Sequence, residues 1–377
     1  MQINVDKNFL YKAVITADSI VSSKNINTIL SNCLFNIFSD KMELISTDNE
    51  IAVRTHISSL SKNKFSFTAN GKKMASILKE LPDDELIINV DENFQISIKT
   101  KSEKVKGQYK LIGTSSQDFP TIPDFIEDKS AGIEQSLFKE MIKKVIYAAS
   151  SDTIKPIFNG VFFVSETKGK LTAVATDSRR LSIITRNFDG MFDLKNGVII
   201  PLKTVNEIFR LLSVSGNCLL NISGNQCYIK IDDTEIISRI VEGQFPNYKQ
   251  VMPKEHLFSS EINVKQLSET IRRIIIFTRE PIYKIILTFD SDKLIVEAST
   301  PELGEATEEI KIKSDYKEKF SLGVNAQFMI EALKEMDCET VKCSITGQMS
   351  PMTINPSDDP NFTAVIMPIQ IKSSHSE

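Results

Sequence analysis

The chain has no tryptophan, three histidines and five cysteines in 377 residues. His56, His256 and His375 are scattered, and Cys33, Cys218, Cys227, Cys338 and Cys343 form no C-x-x-C pair, so the spacing of a zinc site is missing. An odd number of such thiols reads as reduced, mostly buried sulfur rather than a disulfide framework. The 14 glycines never fall as G-x-G-x-x-G or G-x-x-x-x-G-K, which excludes a P-loop and a standard Rossmann fingerprint. H-E-x-x-H and G-x-S-x-G are absent too, and with them the common metalloprotease and hydrolase signatures. No apolar run nears the roughly 18 residues of a membrane span. The start, Met1-Gln2-Ile3-Asn4-Val5-Asp6, lacks the basic and apolar blocks of a signal peptide. No membrane association and no cofactor are expected, and the expected location is cytoplasmic.

What is present is a globular balance of 41% apolar, 25% charged and 8% aromatic residues, with a net charge of −4. The length corresponds to two or three domains. Periodicity favours three. Phe9, Leu10, Ala13, Val14, Ala17 and Val21 recur at helical spacing over 5–21, as do Ile133, Leu137, Met141 and Val145 over 133–149, and Ile262, Leu267, Ile271, Ile274 and Ile275 over 262–275. A second helical segment follows in each third, at 71–81, 202–212 and 325–336. Short alternating or β-branched runs lie between them, among them 41–46, 94–98, 171–175, 227–231 and 293–297. Thr47-Asp48 recurs as Thr176-Asp177, and Asp118-Phe119-Pro120 as Gln244-Phe245-Pro246. Each third reads as helix, strands, helix, strands, an α+β fold repeated three times. Boundaries fall in the proline-containing stretches near 127 and 253, giving domains 1–127, 128–253 and 254–371 and a polar tail, 372–377.

Charge is segregated. The six helical segments sum to +6 in a chain of net −4, which leaves −10 for everything else. A basic helical face on an otherwise acidic protein attracts phosphate in one place and repels it elsewhere. The competing explanation is the ordinary solvated side of amphipathic helices. No sequence-specific nucleic-acid motif is present. Asp48, Asp177 and the run Ser150-Ser151-Asp152 invite a catalytic reading, but a Thr-Asp pair at the same place in two repeats behaves as a strand-ending turn and not as a single active site. No catalysis is expected.

Several stretches in order, Leu30-Ser-Asn-Cys-Leu34, Ala175-Thr-Asp-Ser-Arg-Arg-Leu181, Ile200-Pro-Leu-Lys-Thr-Val205, Glu242-Gly-Gln-Phe-Pro-Asn-Tyr248 and Val365-Ile-Met-Pro-Ile369, carry a resemblance. Along essentially its full length the sequence resembles the bacterial DNA polymerase III beta subunit, the replication sliding clamp. That resemblance implies three DNA-clamp domains per chain and a head-to-tail homodimer forming a six-domain ring, through which double-stranded DNA passes without sequence preference. It makes Lys24, Lys72, Lys73, Lys79, Lys203, Arg210, Arg272 and Arg273 the candidates for facing DNA. Ring closure is expected where Tyr109 and Leu111, on the basic segment that includes Lys104 and Lys106, meet Ile276 and Phe277 of a second copy, with Glu302, Glu305 and Glu308 supplying the opposite charge. An ordinary charged edge strand is the alternative at that place.

The resemblance also implies an apolar cleft for short peptides of the replicative polymerase alpha subunit, the clamp loader delta subunit and other clamp-motif proteins. The matching positions are Ile157, Phe158, Thr176, Arg179, Arg180 and Leu181, then Pro246, Val251, Ser350, Met367, Pro368 and Ile369. An ATP-driven loader is expected to open the ring. Three departures bear on peptide preference: Ser178-Arg179 stands where Gly-His is usual, Gln250 where arginine is common, and the chain continues through Lys372-Ser-Ser-His-Ser-Glu377, a tail expected to be disordered. The alternative function is a clamp-like scaffold that binds partner peptides without encircling DNA.

Overall fold

The computed structural model describes residues 1–21, 28–102, 106–125, 127, 130–188, 194–253 and 255–371. Among them are six α-helices: α1 (Lys7–Asp18), α2 (Gly71–Glu80), α3 (Gln135–Ile146), α4 (Leu202–Leu211), α5 (Val264–Ile274) and α6 (Ala326–Lys334). Each falls within one of the segments marked by periodicity. Each also follows within one residue of a strand, and in four cases the turn is made by an Asx cap that satisfies otherwise unpaired helix amides. The carboxylate of Asp6 accepts from the Asn8 and Phe9 amides at 2.8 and 3.0 Å. Asn70, Asn263 and Asn325 accept from the amides of Lys73, Gln266 and Phe328 at 2.9, 3.0 and 3.1 Å.

Contact density divides the chain into two compact units. The first is Met1–Ser136 with Asn206–Ile240, and the second is Leu137–Val205 with the chain from Val241 onward. This division differs from boundaries at 127 and 253, because main-chain ladders run between strands of successive repeats. In the first unit, Thr234–Arg239 pairs antiparallel with Ile51–Ser58, Ile237 lying opposite Ala52. That ladder joins strands into one thirteen-stranded antiparallel sheet. Leu10, Val14, Phe35, Phe67, Met74 and Leu78 belong to its main core, each fully buried side chain contributing about 1.5–3 kcal/mol. Phe9 is a correction to the periodic reading. It lies at the margin of the arc that α1 buries, in the first turn, and is 62% exposed.

The second unit has a nine-stranded sheet and a four-stranded one. Here Arg180–Asn187 pairs antiparallel with Phe362–Ile366, and Leu181 lies opposite Val365. Alternation along Arg180–Asn187 divides its side chains between two faces. Ser182 points toward α3, its hydroxyl donating to the Lys144 carbonyl at 2.6 Å. Leu181 and Ile183 point the other way, into a separate apolar cluster with Val174, Ile199 and Val365. Four of the five thiols are buried, and burial pushes Cys218 and Cys343 up to about 12.

Candidate functional site

That second face carries the cleft. The segment after Val241 crosses it as a strap, and Phe245 fixes the strap by stacking on Phe162, ring centroids 4.7 Å apart and planes 4° from parallel. Tyr248 leans on the same Phe162 ring from 6.3 Å. The strap turns at Gly243, whose φ of +126° suits only glycine and whose missing Cβ would stand 2.9 Å from Ile157 Cγ2. Beside the strap lies a cavity of about 210 Å³ with an almost wholly apolar lining.

Seven of the expected residues line this cavity: Phe158, Thr176, Arg180, Leu181, Pro246, Val251 and Met367. Ile157 packs against the cluster beneath. Five further lining residues were not chosen from sequence: Ser178, Phe245, Asn247, Tyr248 and Val365. All five fall inside the quoted motifs 175–181, 242–248 and 365–369, so the signal was present but the direction of each side chain was not.

The Thr-Asp pair is a turn, and it is built twice. The Thr176 hydroxyl accepts from the Ser178 amide at 3.1 Å, and Asp177 Oδ1 accepts from the Arg179 and Arg180 amides at 2.9 Å each. Thr47 accepts from Asn49 at 3.0 Å, and Asp48 Oδ1 from Glu50 and Ile51 at 2.9 Å each. Ser178 and Asn49 share a φ of +75°. Both aspartates are therefore occupied by backbone. Arg180 leaves the turn sideways, with its Nε 3.1 Å from Asp177 Oδ2, a second ion pair to Glu331 and its guanidinium over Phe328. Arg179 is exposed at the rim and does not line the cavity.

The C-terminal segment crosses both sheets of this unit. The Met367 amide donates to the Arg179 carbonyl and the Ile369 amide to the Gly323 carbonyl, at 2.9 and 2.8 Å. Gly323 is obligatory because an added Cβ would lie 2.5 Å from the Ile369 carbonyl oxygen. Pro368 and Ile369 therefore tie Met367 down and do not line the cavity, and Ser350 stands in the 347–350 turn away from it. The 372–377 tail lies outside the described residues.

Of the expected DNA-facing cations, Lys72, Lys79 and Arg210 share one hollow of about 330 Å³ in the first unit, with Tyr11, Ile15 and Asp18. Burial pushes the Asp18 carboxyl above its usual range, opposed by the Lys72 amide and charge. Lys73, Lys203 and Arg272 are exposed on their helices, and Lys24 lies outside the described residues. The helical charge count overstates the available cations. Arg210 is paired with Glu207, and Arg273 with Glu308 at 2.7 Å. Lys7 is held by Asp83 and Lys144 by Asp337, at 3.1 and 2.8 Å.

Two unpaired strand sides among the described residues bear on ring closure. In the first unit, Tyr109–Ile112 pairs with Gln95–Ile98 on one side, while the strand's other side is paired only at Gly113 and Thr114. In the second unit, Gly304–Lys311 is the end strand of the four-stranded sheet. Tyr109 and Leu111 pack partly onto their own core, whereas Ile112, not chosen from sequence, is 83% exposed. Ile276 is 69% exposed, with Phe277 beside it partly buried. Glu302 is paired with Arg279 at 2.8 Å, Glu305 is exposed, and Glu308 is engaged by Arg273 and Thr270. Lys106 is exposed and Lys104 lies outside the described residues.

A strap-bounded apolar cleft, basic helices and open sheet edges on a three-fold α+β repeat define the clamp class. Three successive models of the DNA polymerase III beta subunit match the chain: the N-terminal domain at 1–123, the central domain at 132–247 and the C-terminal domain at 249–370. The chain belongs to the DNA polymerase III beta-subunit family. It is 28% identical to the beta sliding clamp of Halalkalibacterium halodurans and 26% identical to that of Haemophilus influenzae, each over 98% of this chain and 100% of the relative. Among solved structures, the sliding clamp of Pseudomonas aeruginosa bound to griselimycin aligns with a TM-score of 0.92 at 23% identity, over 98% of this chain and 100% of that one. The Bacillus subtilis clamp aligns at 0.91 and 22%, over 98% and 99%. At these identities the structural matches speak for the fold.

Proposed function

We propose that this chain is a sliding clamp. Two copies joined head to tail encircle duplex DNA and tether the replicative polymerase, conferring processivity without catalysis of their own. The observation that carries this reading is the unbroken succession of three beta-subunit domain matches on a chain that keeps an apolar peptide cleft. The functional division is three domains, 1–127, 128–253 and 254–371, and the working location is the cytoplasm.

Lys24, Lys72, Lys73, Lys79, Lys203, Arg210, Arg272 and Arg273 make weak, exchanging phosphate contacts, which suit a ring that holds DNA by topology. The open edges at Tyr109–Ile112 and Gly304–Lys311 close the ring by strand addition, with Ile276 and Phe277 buried there and Lys104 and Lys106 facing Glu302, Glu305 and Glu308. The cleft at Leu181, Val365 and Met367 receives the hydrophobic anchors of polymerase alpha, loader delta and other clamp-motif peptides, one partner at a time.

The test is retention on DNA. Protein loaded on a nicked circular plasmid should survive a high-salt wash and be lost once the plasmid is linearised. Equal salt-sensitive loss from both forms would overturn the clamp reading and favour a scaffold that binds peptides only.

A further inference from the structure

The construction of the peptide cleft occurs a second time, within the first unit. Ala52 and Ile237 face each other across their ladder as Leu181 and Val365 do beneath the cleft. The same hydrogen-bonded turn stands at the end of each strand pair, at Thr47–Ile51 and Thr176–Arg180. Phe119 packs on Leu34 and Ile45, the counterparts of Phe162 and Val174 under Phe245, and the segment Pro120–Pro123 forms the wall that Pro246 and Tyr248 form at the cleft. The enclosed space is about 220 Å³ against about 210 Å³.

The chemistry differs at several counterpart positions, Ile51 standing where the cleft has Arg180 and Glu50 where the other turn has Arg179. Ala52 stands where the cleft has Leu181, and Arg239 where it has Met367. Arg239 is exposed at the groove, and its guanidinium has no ion pair or hydrogen bond among the described residues. Glu50, on the same rim, is likewise exposed and its carboxylate unpaired among the described residues.

We propose that this groove is a second docking site, for an extended peptide segment of a partner protein that carries one aliphatic side chain next to a carboxylate. Ala52, Ile237 and Ile122 offer an apolar floor and wall for the aliphatic anchor. Arg239 offers a planar fork matched to a carboxylate, and among the described residues no acidic side chain is paired with it, Glu50 being its nearest acidic neighbour across the ladder. Glu50 lies directly across the ladder from Arg239, whose amide donates to the Glu50 carbonyl at 2.9 Å, so the two side chains mark the same end of the groove. Peptides with two adjacent apolar anchors, which suit the Leu181 and Met367 cleft, leave Arg239 without a partner and are discriminated against. The comparison with a peptide cleft rests on the clamp reading, while the groove's geometry and charge stand apart from it.

A phage-displayed library of random dodecapeptides, selected on the full-length protein, tests this. Binding is then measured to the wild type and to Arg239→Glu, Thr121→Trp and Met367→Asp, with thermal melts to confirm that each variant is folded; Arg239, Thr121 and Met367 are all exposed. The expected result is a class of peptides sharing an aliphatic–acidic pair that binds the wild type at least tenfold more tightly than Arg239→Glu or Thr121→Trp and binds Met367→Asp as tightly as the wild type. A selection that returns no Arg239-dependent peptide overturns the groove, as does one in which every peptide depends on Met367. Loss of the Met367-dependent class alone counts against the cleft reading and leaves the groove standing.

Discussion

The guanidinium carbon of Arg180 lies 4.5 Å from the centre of the Phe328 ring and 5.6 Å from that of Tyr147. Two carboxylates, Asp177 and Glu331, hold its edge while these rings meet its faces. One side chain thus binds the turn at 176–180 to α6 and also walls the cleft. A lysine keeps the charge but neither stacks nor forks. Arg180→Lys should cost about 2 kcal/mol of stability, read as a lower melting temperature, and weaken binding of a labelled clamp-motif peptide about tenfold by fluorescence anisotropy.

Gly323 controls the cleft without lining it. An added methyl would strike the Ile369 carbonyl, a backbone atom with no rotamer to escape by, and so loosen the segment that presents Met367. Gly323→Ala should cost about 1–3 kcal/mol. Peptide affinity should fall several-fold in the same variant, in anisotropy titrations run below its melting temperature.

Asp337 accepts from the ammonium of buried Lys144 at 2.8 Å, and this bond with the nearby positive charge holds its carboxyl below the usual range. The native state therefore binds that proton less well than the unfolded chain does. The resulting stability is present above the ordinary carboxylate range near pH 4 and is lost as pH falls through the lower native value. Asp337 is 64% exposed, so solvent screening limits the contribution to about 1 kcal/mol. Asp337→Asn should melt earlier than the wild type at pH 7, and the two melting curves should converge as the pH is lowered through and beyond the ordinary carboxylate range.

The helices and most strands were legible because an amphipathic period is a local signal. The stretch 71–81 became Gly71–Glu80, and 41–46 became Lys41–Thr47. The available positive charge was not legible, since the carboxylates that neutralise cations come from far along the chain: Glu308 lies 35 residues from Arg273, and Asp337 lies 193 from Lys144. Nor was the strap, where no period exists and the direction of Phe245 and Tyr248 follows from a turn at Gly243. The resemblance makes Ile369 a cleft position, whereas its amide donates to Gly323 and it does not line the cavity.

Two of the exposed isoleucines, Ile112 and Ile276, test the open edges. Ile112 and Ile276 are 83% and 69% exposed in the single chain, so substitution leaves each folded unit unstrained. Burying one isoleucine stabilises association by about 1.5–3 kcal/mol, roughly tenfold to a hundredfold in affinity. Ile276→Glu and Ile112→Glu should each raise the dimer dissociation constant by at least that factor in sedimentation velocity. Melting temperatures measured on the monomeric form should stay within a degree or two of the wild type.

The basic hollow makes a graded prediction about salt. A cation that neutralises a phosphate releases counterions, so each contact adds about 0.9 to the slope of log affinity against log salt. Lys72 and Lys79 meet that hollow with exposed ammonium groups, whereas Arg210 is already paired with Glu207 on its own helix. A neutralised arginine attracts phosphate less, and releasing it from Glu207 first gives up an existing bond. Equilibrium binding to a short linear duplex, which the ring can leave, followed across a salt series, should show Lys72→Ala and Lys79→Ala each flattening the slope by up to 0.9 per copy and Arg210→Ala flattening it by clearly less. Equal effects from all three would mean that Glu207 does not restrain Arg210 once DNA is present.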